Sequence, residues 1–522
     1  MTQPAQSAEQ QVRPNIVLFM TDDHAVPAIG AYGSVLNRTP AVDGLAEEGM
    51  RFGNAFCTNA ICSPARATLL TGTYSHVNGM TSLESPEHTF DATQPGFPEL
   101  LRQAGYQTAI FGKWHLGHGG RSDPRGFDHW EILPEHGVYH DPTFLTADGE
   151  RTYRGYVTDI ITELALNWLD KRDPGRPFAL LVQHKAPHRH FEPAERHRHL
   201  YAHEDVPAPP TLHDDLDDRA TAAREARLGM ADLVADDLKS PVPEGLSERE
   251  EREWRYQRYI KDYLRVVAAL DENVGRVLHY LDVSGLAEDT AVAYTSDHGF
   301  FLGEHGWFDK RFMYDPAMRI PLVMRWPGVV APGSVSEDLV ANVDFAPTLL
   351  DIAGVEPPGR MQGRSLLPLL RGQTPGDWRT GVYYRYYMHL DRDHNVQASY
   401  GIRTRTHKLI RYPGHGSGAA GASAERREPE WELFDLVRDP DELHNRYGDP
   451  QYADVAEELT EQLAKLQESY GDTPEGVLPA GTGRAPGRDP DSGAGAGPDP
   501  GSGSAPGPGS GSAPGPGSGP LP

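Results

Sequence analysis

The sequence predicts an α/β fold with a large, mostly parallel sheet flanked by helices, followed by a smaller α+β subdomain. Three observations predict it. Short apolar runs of strand length each end in polar or ionisable residues, as expected where parallel strands deliver ligands at their carboxyl ends. Helical patterns alternate with these runs, which is typical of a doubly wound sheet. After Gln373 the sequence changes to aromatic, alternating runs, which indicate a small antiparallel sheet.

Four apolar runs predict strands whose ends carry ionisable groups. They are NIVLFM, followed by Thr21, Asp22, Asp23 and His24; QTAIFG, followed by Lys113, Trp114 and His115; FALLVQ, followed by His184, Lys185 and His188; and AVAYTS, followed by Asp297 and His298. The runs FPELLRQAG and YIKDYLRVVAALDENVGRVLHYLDVSG predict helices, because their apolar residues recur at helical spacing.

Changes in composition predict the domain boundaries. We expect a flexible N-terminus over 1–12, the main α/β domain over 13–372 with a charged, partly helical insertion at 201–253, a C-terminal subdomain over 373–472 and a disordered tail over 481–522. The tail is rich in Gly, Pro and Ser and nearly lacks apolar anchors, so it has no means of forming a packed core.

Charge and cysteine content exclude several classes of protein. The chain has 522 residues and a net charge of −26, which argues against nucleic acid as a partner. The only apolar run in the first segment, Ile16 to Met20, is far shorter than a signal-peptide core or a membrane span. We therefore expect a cytoplasmic, soluble protein with no membrane partner; the alternative is a misannotated start codon that has removed an export signal. The two cysteines are five positions apart and cannot form an extracellular disulfide framework.

Two pairs of strand-end residues indicate a metal site. Asp22 and Asp23 are adjacent carboxylates, which repel each other unless a cation lies beside them. Taken alone, the pair is explained equally well as a helix N-cap. Asp297 and His298 repeat the pattern at another strand end, and this second corner favours the metal. Carboxylate ligands prefer a hard divalent ion, Ca²⁺ above Mg²⁺ because Ca²⁺ tolerates irregular coordination.

Cys62 lies just before a predicted helix. In CSPARATLLTG, Pro64 is a residue preferred in the first turn of a helix, and Gly72 ends the helical run. Cys62 would then lie at a helix N-terminus, where backbone amides favour an anion or a thiolate. A catalytic cysteine, a metal ligand and an inert packed residue all remain open on this evidence.

The ordered motifs resemble those of the type I sulfatases of the alkaline phosphatase superfamily. They are PNIVLFMTDDH, CSPAR with ATLLTG, GKWHLG, HKAPH, TSDHGFFLGEHG and WELFDLVRDPDELHN. The resemblance implies an alkaline-phosphatase-like sandwich with a mixed, mostly parallel central sheet. It also implies that a formylglycine-generating enzyme oxidises Cys62 to Cα-formylglycine, whose hydrate attacks sulfur, while Cys57 is a small packed residue.

The resemblance also implies a role for each matching residue. The metal ligands are Asp22, Asp23, Asp297, His298 and modified Cys62; Arg66 and Lys113 steady the formylglycine; His115 is the base that assists breakdown of the sulfated intermediate; His188 is the acid for the leaving oxygen; and Lys310 contacts sulfate. Taken alone, the loops that carry these residues are also typical of surface turns and charge balance. Many relatives carry asparagine in place of His298, which leaves the part played by that side chain open.

The pattern looks most like bacterial relatives of iduronate-2-sulfatase and N-acetylglucosamine-6-sulfatase, so we expect a small or oligosaccharide sulfate ester as substrate. Tyr386, His389 and His394 are candidates for contacting the sugar, although sheet packing and a polar loop explain them equally well. Two alternatives stay open. One is a phosphonate or phosphate ester hydrolase of the same superfamily; the other is a noncatalytic sulfate- or sugar-binding protein in which Cys62 stays a thiol.

Overall fold

The computed structural model describes residues 13–85 and 87–473. The predicted N-terminal segment 1–12 and the predicted tail 481–522 lie outside these residues. No helix in the described ranges is long and apolar enough to cross a membrane.

The large sheet contains ten strands of the described chain. They are β1 (Asn15–Asp22), β2 (Met50–Phe56), β3 (Gln107–Lys113), β4 (His129–Leu133), β5 (Thr143–Thr146), β6 (Gly149–Thr152), β7 (Phe178–Pro187), β8 (Thr290–Ser296), β9 (Leu322–Arg325) and β10 (Ser334–Ala341). Their order is β10-β2-β9-β8-β1-β7-β3-β4-β5-β6. Strands β8, β1, β7, β3 and β4 run parallel, whereas β9, β5 and β6 pair antiparallel with their neighbours. The predicted mixed, mostly parallel sheet is confirmed.

The described chain contains twelve α-helices. They are α1 (Pro40–Glu47), α2 (Cys62–Thr71), α3 (Ser75–Asn78), α4 (Phe97–Gln103), α5 (Val157–Lys171), α6 (Thr221–Arg224), α7 (Ala235–Leu238), α8 (Glu248–Val283), α9 (Asp315–Met318), α10 (Phe345–Ile352), α11 (Leu367–Leu370) and α12 (Ala453–Tyr470). Short 3₁₀ helices lie at Val26–Ala28, Gly30–Tyr32, Glu195–His197, Met230–Asp232, Ala287–Asp289, Glu304–Gly306, Asn342–Asp344 and Pro450–Tyr452.

Both faces of the central strands of the sheet are buried. On β1, Ile16, Leu18 and Met20 pack into one apolar layer, and Val17 and Phe19 pack into the layer on the opposite face. Successive residues of a strand point to opposite faces, so a strand covered on both sides needs an uninterrupted apolar run. This explains why the central strands read as continuous apolar segments in the sequence.

Helix α8 begins earlier than the apolar periodicity indicates. The helical pattern is clear from Tyr259, but the helix begins at Glu248, inside the predicted insertion. Ser247 and Glu250 form a capping box, in which Glu250 N donates to Ser247 Oγ at 3.4 Å and Ser247 N donates to Glu250 Oε2 at 2.8 Å. This reciprocal cap stabilises a charged first part of the helix that periodicity alone does not reveal.

A separate antiparallel sheet forms the C-terminal part of the described chain. Its strands, in spatial order, are β11 (Gly381–Tyr386), β12 (Ser399–Thr404), β13 (His407–Tyr412) and β14 (Glu430–Asp435). The buried Glu432 carboxylate on β14 accepts hydrogen bonds from Tyr412 Oη at 2.8 Å, Tyr314 Oη at 3.0 Å and Ala220 N at 2.8 Å. This sheet is therefore hydrogen-bonded directly to segments that precede it by more than sixty residues.

Asp472 follows helix α12 and is bonded to strand β11. Its carboxylate accepts a hydrogen bond from Tyr383 Oη at 2.5 Å and pairs with the Arg385 guanidinium. All three side chains are buried. The end of the helix is thereby fixed to the strand that leads towards Tyr386.

Candidate active site

The carboxyl ends of four adjacent parallel strands meet at one edge of the large sheet. Asp22 ends β1 and Lys113 ends β3, while Asp297 and His188 directly follow β8 and β7. Because β8, β1, β7 and β3 are neighbours, side chains far apart in sequence come together here. The two predicted metal corners therefore converge on each other.

Four buried groups form a candidate metal centre. Asp22, Cys62, Asp297 and His298 each offer a ligand atom, and these atoms all lie within 4.8 Å of one another. Their carboxylate oxygens, imidazole nitrogen and sulfur, on side chains no more than 2% exposed, are atoms that bind metal ions in proteins. The donor set fits a divalent metal.

His298 presents a free nitrogen to this centre. Its Nδ1 lies 2.9 Å from Gly299 O, a group that only accepts, so Nδ1 carries the proton. Its Nε2 lies 3.3 Å from Cys62 Sγ and 3.4 Å from Asp297 Oδ1. The unprotonated nitrogen therefore faces the other three candidate ligands, which is how a coordinating histidine is oriented.

Asp23, the fifth predicted ligand, lies against Lys310. Lys310 Nζ donates to both Asp23 oxygens, at 2.8 and 3.1 Å, and His298 Nδ1 lies 3.3 Å from Asp23 Oδ1. Burial, opposed by Lys310 and reinforced by Asp22, raises the pKa of Asp23 to about 6. For Asp22, burial is outweighed by Lys113 and Arg66, which hold the pKa of this carboxyl below its ordinary value.

Cys62 begins helix α2, as its sequence predicts, and is 1% exposed. Its Sγ lies 3.5 Å from Asp22 Oδ1. Burial and the Asp22 charge raise the pKa of the Cys62 thiol well above its ordinary value. An unmodified Cys62 is therefore a protonated thiol and a weak nucleophile, despite its position at a helix N-terminus. Cys57 is fully buried and packs with the core.

Arg66 and Lys113 connect this centre to the sheet. The buried Arg66 donates to Asp297 Oδ2 at 3.0 Å, to Lys113 O at 2.7 Å and to Gln183 Oε1 at 3.2 Å. Lys113 Nζ donates to Asp22 Oδ2. Each cation therefore fixes one candidate ligand carboxylate, which also lowers the cost of burying that charge.

Three histidine rings line the site, although the sequence motifs indicate two. The ring of His136 lies between His115 and His188, with centroid distances of 4.1 and 4.5 Å. His188 Nδ1 donates to Arg189 O at 2.9 Å, so its Nε2 faces the site, 3.8 Å from Asp23 Oδ2. His136 lies in an irregular loop after β4 with no motif around it, so the sequence pattern gives no signal for it.

Burial keeps these imidazoles neutral in the free protein. Burial, reinforced by the Lys113 charge, lowers the pKa of His115, His136 and His188 well below the ordinary value. His115 Nδ1 is buried and has no hydrogen-bond partner in the described residues. The ring is thus available to a bound molecule.

A second charged cluster lies beside Lys310. It contains Asp309, Arg311, Tyr386, Asp391 and His394. Arg311 donates to Tyr386 Oη at 3.3 Å and to His394 Nε2 at 3.1 Å, and His394 Nδ1 donates to Asp391 Oδ1 at 2.7 Å. Asp309 Oδ2 lies 3.8 Å from His394 Nε2. The predicted residues Tyr386 and His394 are brought together, and Asp309, Arg311 and Asp391 are the members that the sequence analysis did not single out.

His389 lies apart from this cluster. It is fully buried, and its ring nitrogens pair with Glu425 O at 3.1 Å and Ala398 N at 3.2 Å. Both hydrogen-bonding atoms of the ring are occupied by backbone groups. The ring therefore has no free nitrogen to offer a sugar, and nothing in its described surroundings supports the sequence-based suggestion that it contacts substrate.

Two family models match the chain. The Sulfatase model matches residues 14–355, and the N-sulphoglucosamine sulphohydrolase, C-terminal, model matches residues 303–469. Together they span the candidate metal centre, the three histidines and the cluster beside Lys310. The resemblance stated from the sequence motifs is confirmed.

Relatives and solved structures agree with these matches. The chain is 42% identical to the N-acetylglucosamine-6-O-sulfatase of Bacteroides thetaiotaomicron, over 89% of this chain and 88% of the relative. It is 30% identical to the human N-acetylglucosamine-6-sulfatase, over 72% of this chain and 67% of the relative. The structure of BT4656 in complex with its substrate D-glucosamine-2-N,6-O-disulfate matches with a TM-score of 0.81 at 41% identity, over 89% of this chain and 99% of that chain. The chain therefore belongs to the sulfatase family, and it is an enzyme that hydrolyses sulfate esters.

Proposed function

We propose that the enzyme removes the 6-O-sulfate from a terminal, N-substituted glucosamine of a sulfated saccharide. The relatives from Bacteroides thetaiotaomicron and human are both named for N-acetylglucosamine 6-sulfate chemistry, and BT4656 is described with a 6-O-sulfated glucosamine. The observation that carries the proposal in this chain is the buried charged cluster directly beside Lys310.

The cluster has the chemistry needed to bind a sugar. Asp309 and Asp391 supply acceptors and Arg311 supplies donors, and the three side chains are wholly or largely buried. Vicinal hydroxyls both donate and accept, so they pair with a carboxylate and a guanidinium at the same time. Because the Asp309 carboxylate of this cluster is close enough to act on the charge of Lys310, a sulfate at Lys310 would leave the sugar ring beside the cluster.

The nucleophile proposed here is Cα-formylglycine made from Cys62 by a separate formylglycine-generating enzyme. The raised pKa of the buried thiol argues against direct attack by sulfur. In the converted residue, one hydroxyl of the aldehyde hydrate attacks the sulfate ester and the other expels sulfate as the aldehyde reforms.

A divalent metal, Ca²⁺ by preference and Mg²⁺ as the alternative, would be held by Asp22, Asp297, His298, modified Cys62 and Asp23. When bound, it supplies electrostatic activation of the hydrate and of the sulfate oxygens. Asp23 would join the other ligands by shifting from Lys310, which now donates to both of its oxygens.

The remaining site residues either supply positive charge or transfer protons. Arg66 and Lys113 hold Asp297 and Asp22 in place and add positive charge, and Lys310 Nζ attracts the sulfate. His188 directs Nε2 into the site and donates a proton to the leaving sugar oxygen. It is neutral in the free protein, but the negative charge of a bound sulfate ester favours its protonated form. His115 serves as the base that assists sulfate release.

Hydrolysis of a phosphonate or phosphate ester is the second candidate. The phosphonate monoester hydrolase of Agrobacterium radiobacter shares the fold, with a TM-score of 0.68 at 24% identity over 88% of this chain and 96% of that chain, and fold does not fix the reaction. The noncatalytic alternative is set aside, because the chain is a sulfatase.

Two measurements on one sample test the proposal. Peptide mass spectrometry should show a loss of about 18 Da at Cys62, the difference between thiol and aldehyde. The same protein should release sulfate from N-acetylglucosamine 6-sulfate faster than from its 3- and 4-sulfated isomers, and faster than phosphate from the 6-phosphate. Preference for another isomer or for phosphate would overturn the substrate, and activity with an unmodified thiol would overturn the nucleophile.

A further inference from the structure

His136 is a half-buried residue in the loop after β4 to which no role has been given so far. One of its nitrogens lies within 4.8 Å of both a carboxylate oxygen of Asp22 and a nitrogen of His188. Its ring is stacked on His188 at an interplanar angle of 23° and tilted by 59° to His115. It is therefore inside the candidate active site, between the two histidines that the motifs indicate.

Hydrogen bonding fixes which nitrogen of His136 carries the proton. Lys113 Nζ lies 3.3 Å from His136 Nδ1. An ammonium group only donates, so Nδ1 is the acceptor and the proton lies on Nε2. Among residues 13–85 and 87–473, no protein group pairs with that Nε2–H. The ring therefore accepts from Lys113 on one side and has a free donor on the other.

A neutral donor suits this position. The cations Lys113, Arg66 and Lys310 already lie around the centre, and a further positive charge would repel Lys113. Burial and the Lys113 charge lower the pKa of His136 well below the ordinary value, which agrees with the neutral form. A neutral imidazole adds a hydrogen bond to an anion without this repulsion.

We propose that His136 is a further catalytic residue, which donates from Nε2–H to an oxygen of the transferring sulfate while its Nδ1 accepts from Lys113. The ring stays neutral and transfers no proton, in contrast to His188 and His115. This role rests on the proposed function only in requiring a sulfate ester at the site. It is independent of which sugar carries the sulfate.

A matched pair of variants separates this role from packing. In His136→Phe the ring still fills the space between the two histidines but makes no hydrogen bond. In His136→Gln the amide oxygen can accept from Lys113 while the amide nitrogen donates. His140→Gln, on the exposed part of the same loop, is the control. The readouts are kcat/KM for an aryl sulfate, inhibition by inorganic sulfate and the thermal midpoint.

We expect His136→Phe to lose roughly thirtyfold in kcat/KM and about tenfold in sulfate affinity, as for loss of a hydrogen bond to a charged group. His136→Gln should stay within about fivefold of wild type, and His140→Gln should be unchanged. Activity of His136→Phe within about threefold of wild type, or equal losses in both His136 variants, would overturn the proposal.

A second measurement tests the proposal on the wild-type enzyme and does not depend on activity. Nitrogen-15 NMR of histidine-labelled enzyme should show His136 with a protonated Nε2 and a bare Nδ1, and added inorganic sulfate should shift the Nε2 signal. The opposite tautomer would overturn the proposal even if His136→Phe fails to fold. Because the probes are an aryl sulfate and inorganic sulfate, a wrong sugar assignment would leave these results intact, whereas a wrong role for His136 would not.

Discussion

Replacing His394 with alanine separates recognition of the sugar from chemistry at sulfur. The His394 ring donates to Asp391 at 2.7 Å and accepts from Arg311 at 3.1 Å. The hydrogen bond from Arg311 to His394 holds the guanidinium in the orientation in which it would face a sugar hydroxyl. Without His394, the guanidinium loses this orientation. One hydrogen bond to a charged group is worth about 2 kcal/mol, so kcat/KM for N-acetylglucosamine 6-sulfate should fall roughly thirtyfold.

The assay compares that sugar sulfate with an aryl sulfate, which has no hydroxyls for the cluster to bind. We expect kcat/KM for the aryl sulfate to change by less than about threefold. His389→Ala is the matched control, because its ring nitrogens bond to backbone groups in the interior. It should lower the thermal midpoint without changing the ratio of the two activities. An unchanged ratio in His394→Ala would refute the assignment of the cluster to the sugar.

Three further predictions follow from the same structure. His188→Ala should slow hydrolysis of a sugar sulfate about a hundredfold more than hydrolysis of a nitrophenyl sulfate, because a poor leaving group depends more on the proton that His188 donates. Equal slowing of the two reactions would contradict the role of His188 as the acid. Burial raises the pKa of Asp271 to about 6, although Ala41 N and Val42 N each donate to it at 3.0 Å. Between about pH 4 and about pH 6, Asp271 is therefore protonated in the folded state and ionised in the unfolded state. The contribution of Asp271 to the free energy of unfolding falls by about 3 kcal/mol as the pH rises across this range. Denaturant unfolding of wild type and Asp271→Asn at both ends of that pH range measures this change. A difference in unfolding free energy between the two proteins that stays constant with pH would refute the prediction. Finally, a chelator should abolish sulfate release and lower the thermal midpoint by about 5 °C, and added Ca²⁺ should reverse both effects; full activity after chelation would exclude the metal.

Local pattern accounts for the parts of the site that are attached to regular structure. Asp22 and Lys113 end apolar runs, and Cys62 begins a helix that Pro64 and Gly72 delimit. In such places the neighbouring residues determine the conformation, so the sequence is informative. The convergence of the strand ends follows from parallel packing, which the alternation of strands and helices predicts.

Residues on irregular loops could not be predicted in this way. His136 and Asp309 reach the site because other segments fold the loops around them, and Asp309 has a φ of 75°, a conformation uncommon for residues with a side chain. His389 shows the converse: it lies five residues before His394 in an aromatic segment, yet backbone partners occupy its ring. Sequence proximity to a site does not determine the direction in which a side chain points.

Asp472 determines how far the chain can be shortened from its C-terminal end. A stop codon after Tyr470 would leave the guanidinium of Arg385 and the hydroxyl of Tyr383 in the interior without their shared acceptor, a loss of roughly 3–5 kcal/mol for a broken buried ion pair. Strand β11, which carries both, ends at Tyr386, so the damage would extend to the charged cluster beside Lys310. A stop codon after Thr473 keeps all of these contacts. A gene product that ends at residue 473 should therefore resist proteolysis in the cell, whereas one that ends at residue 470 should be degraded.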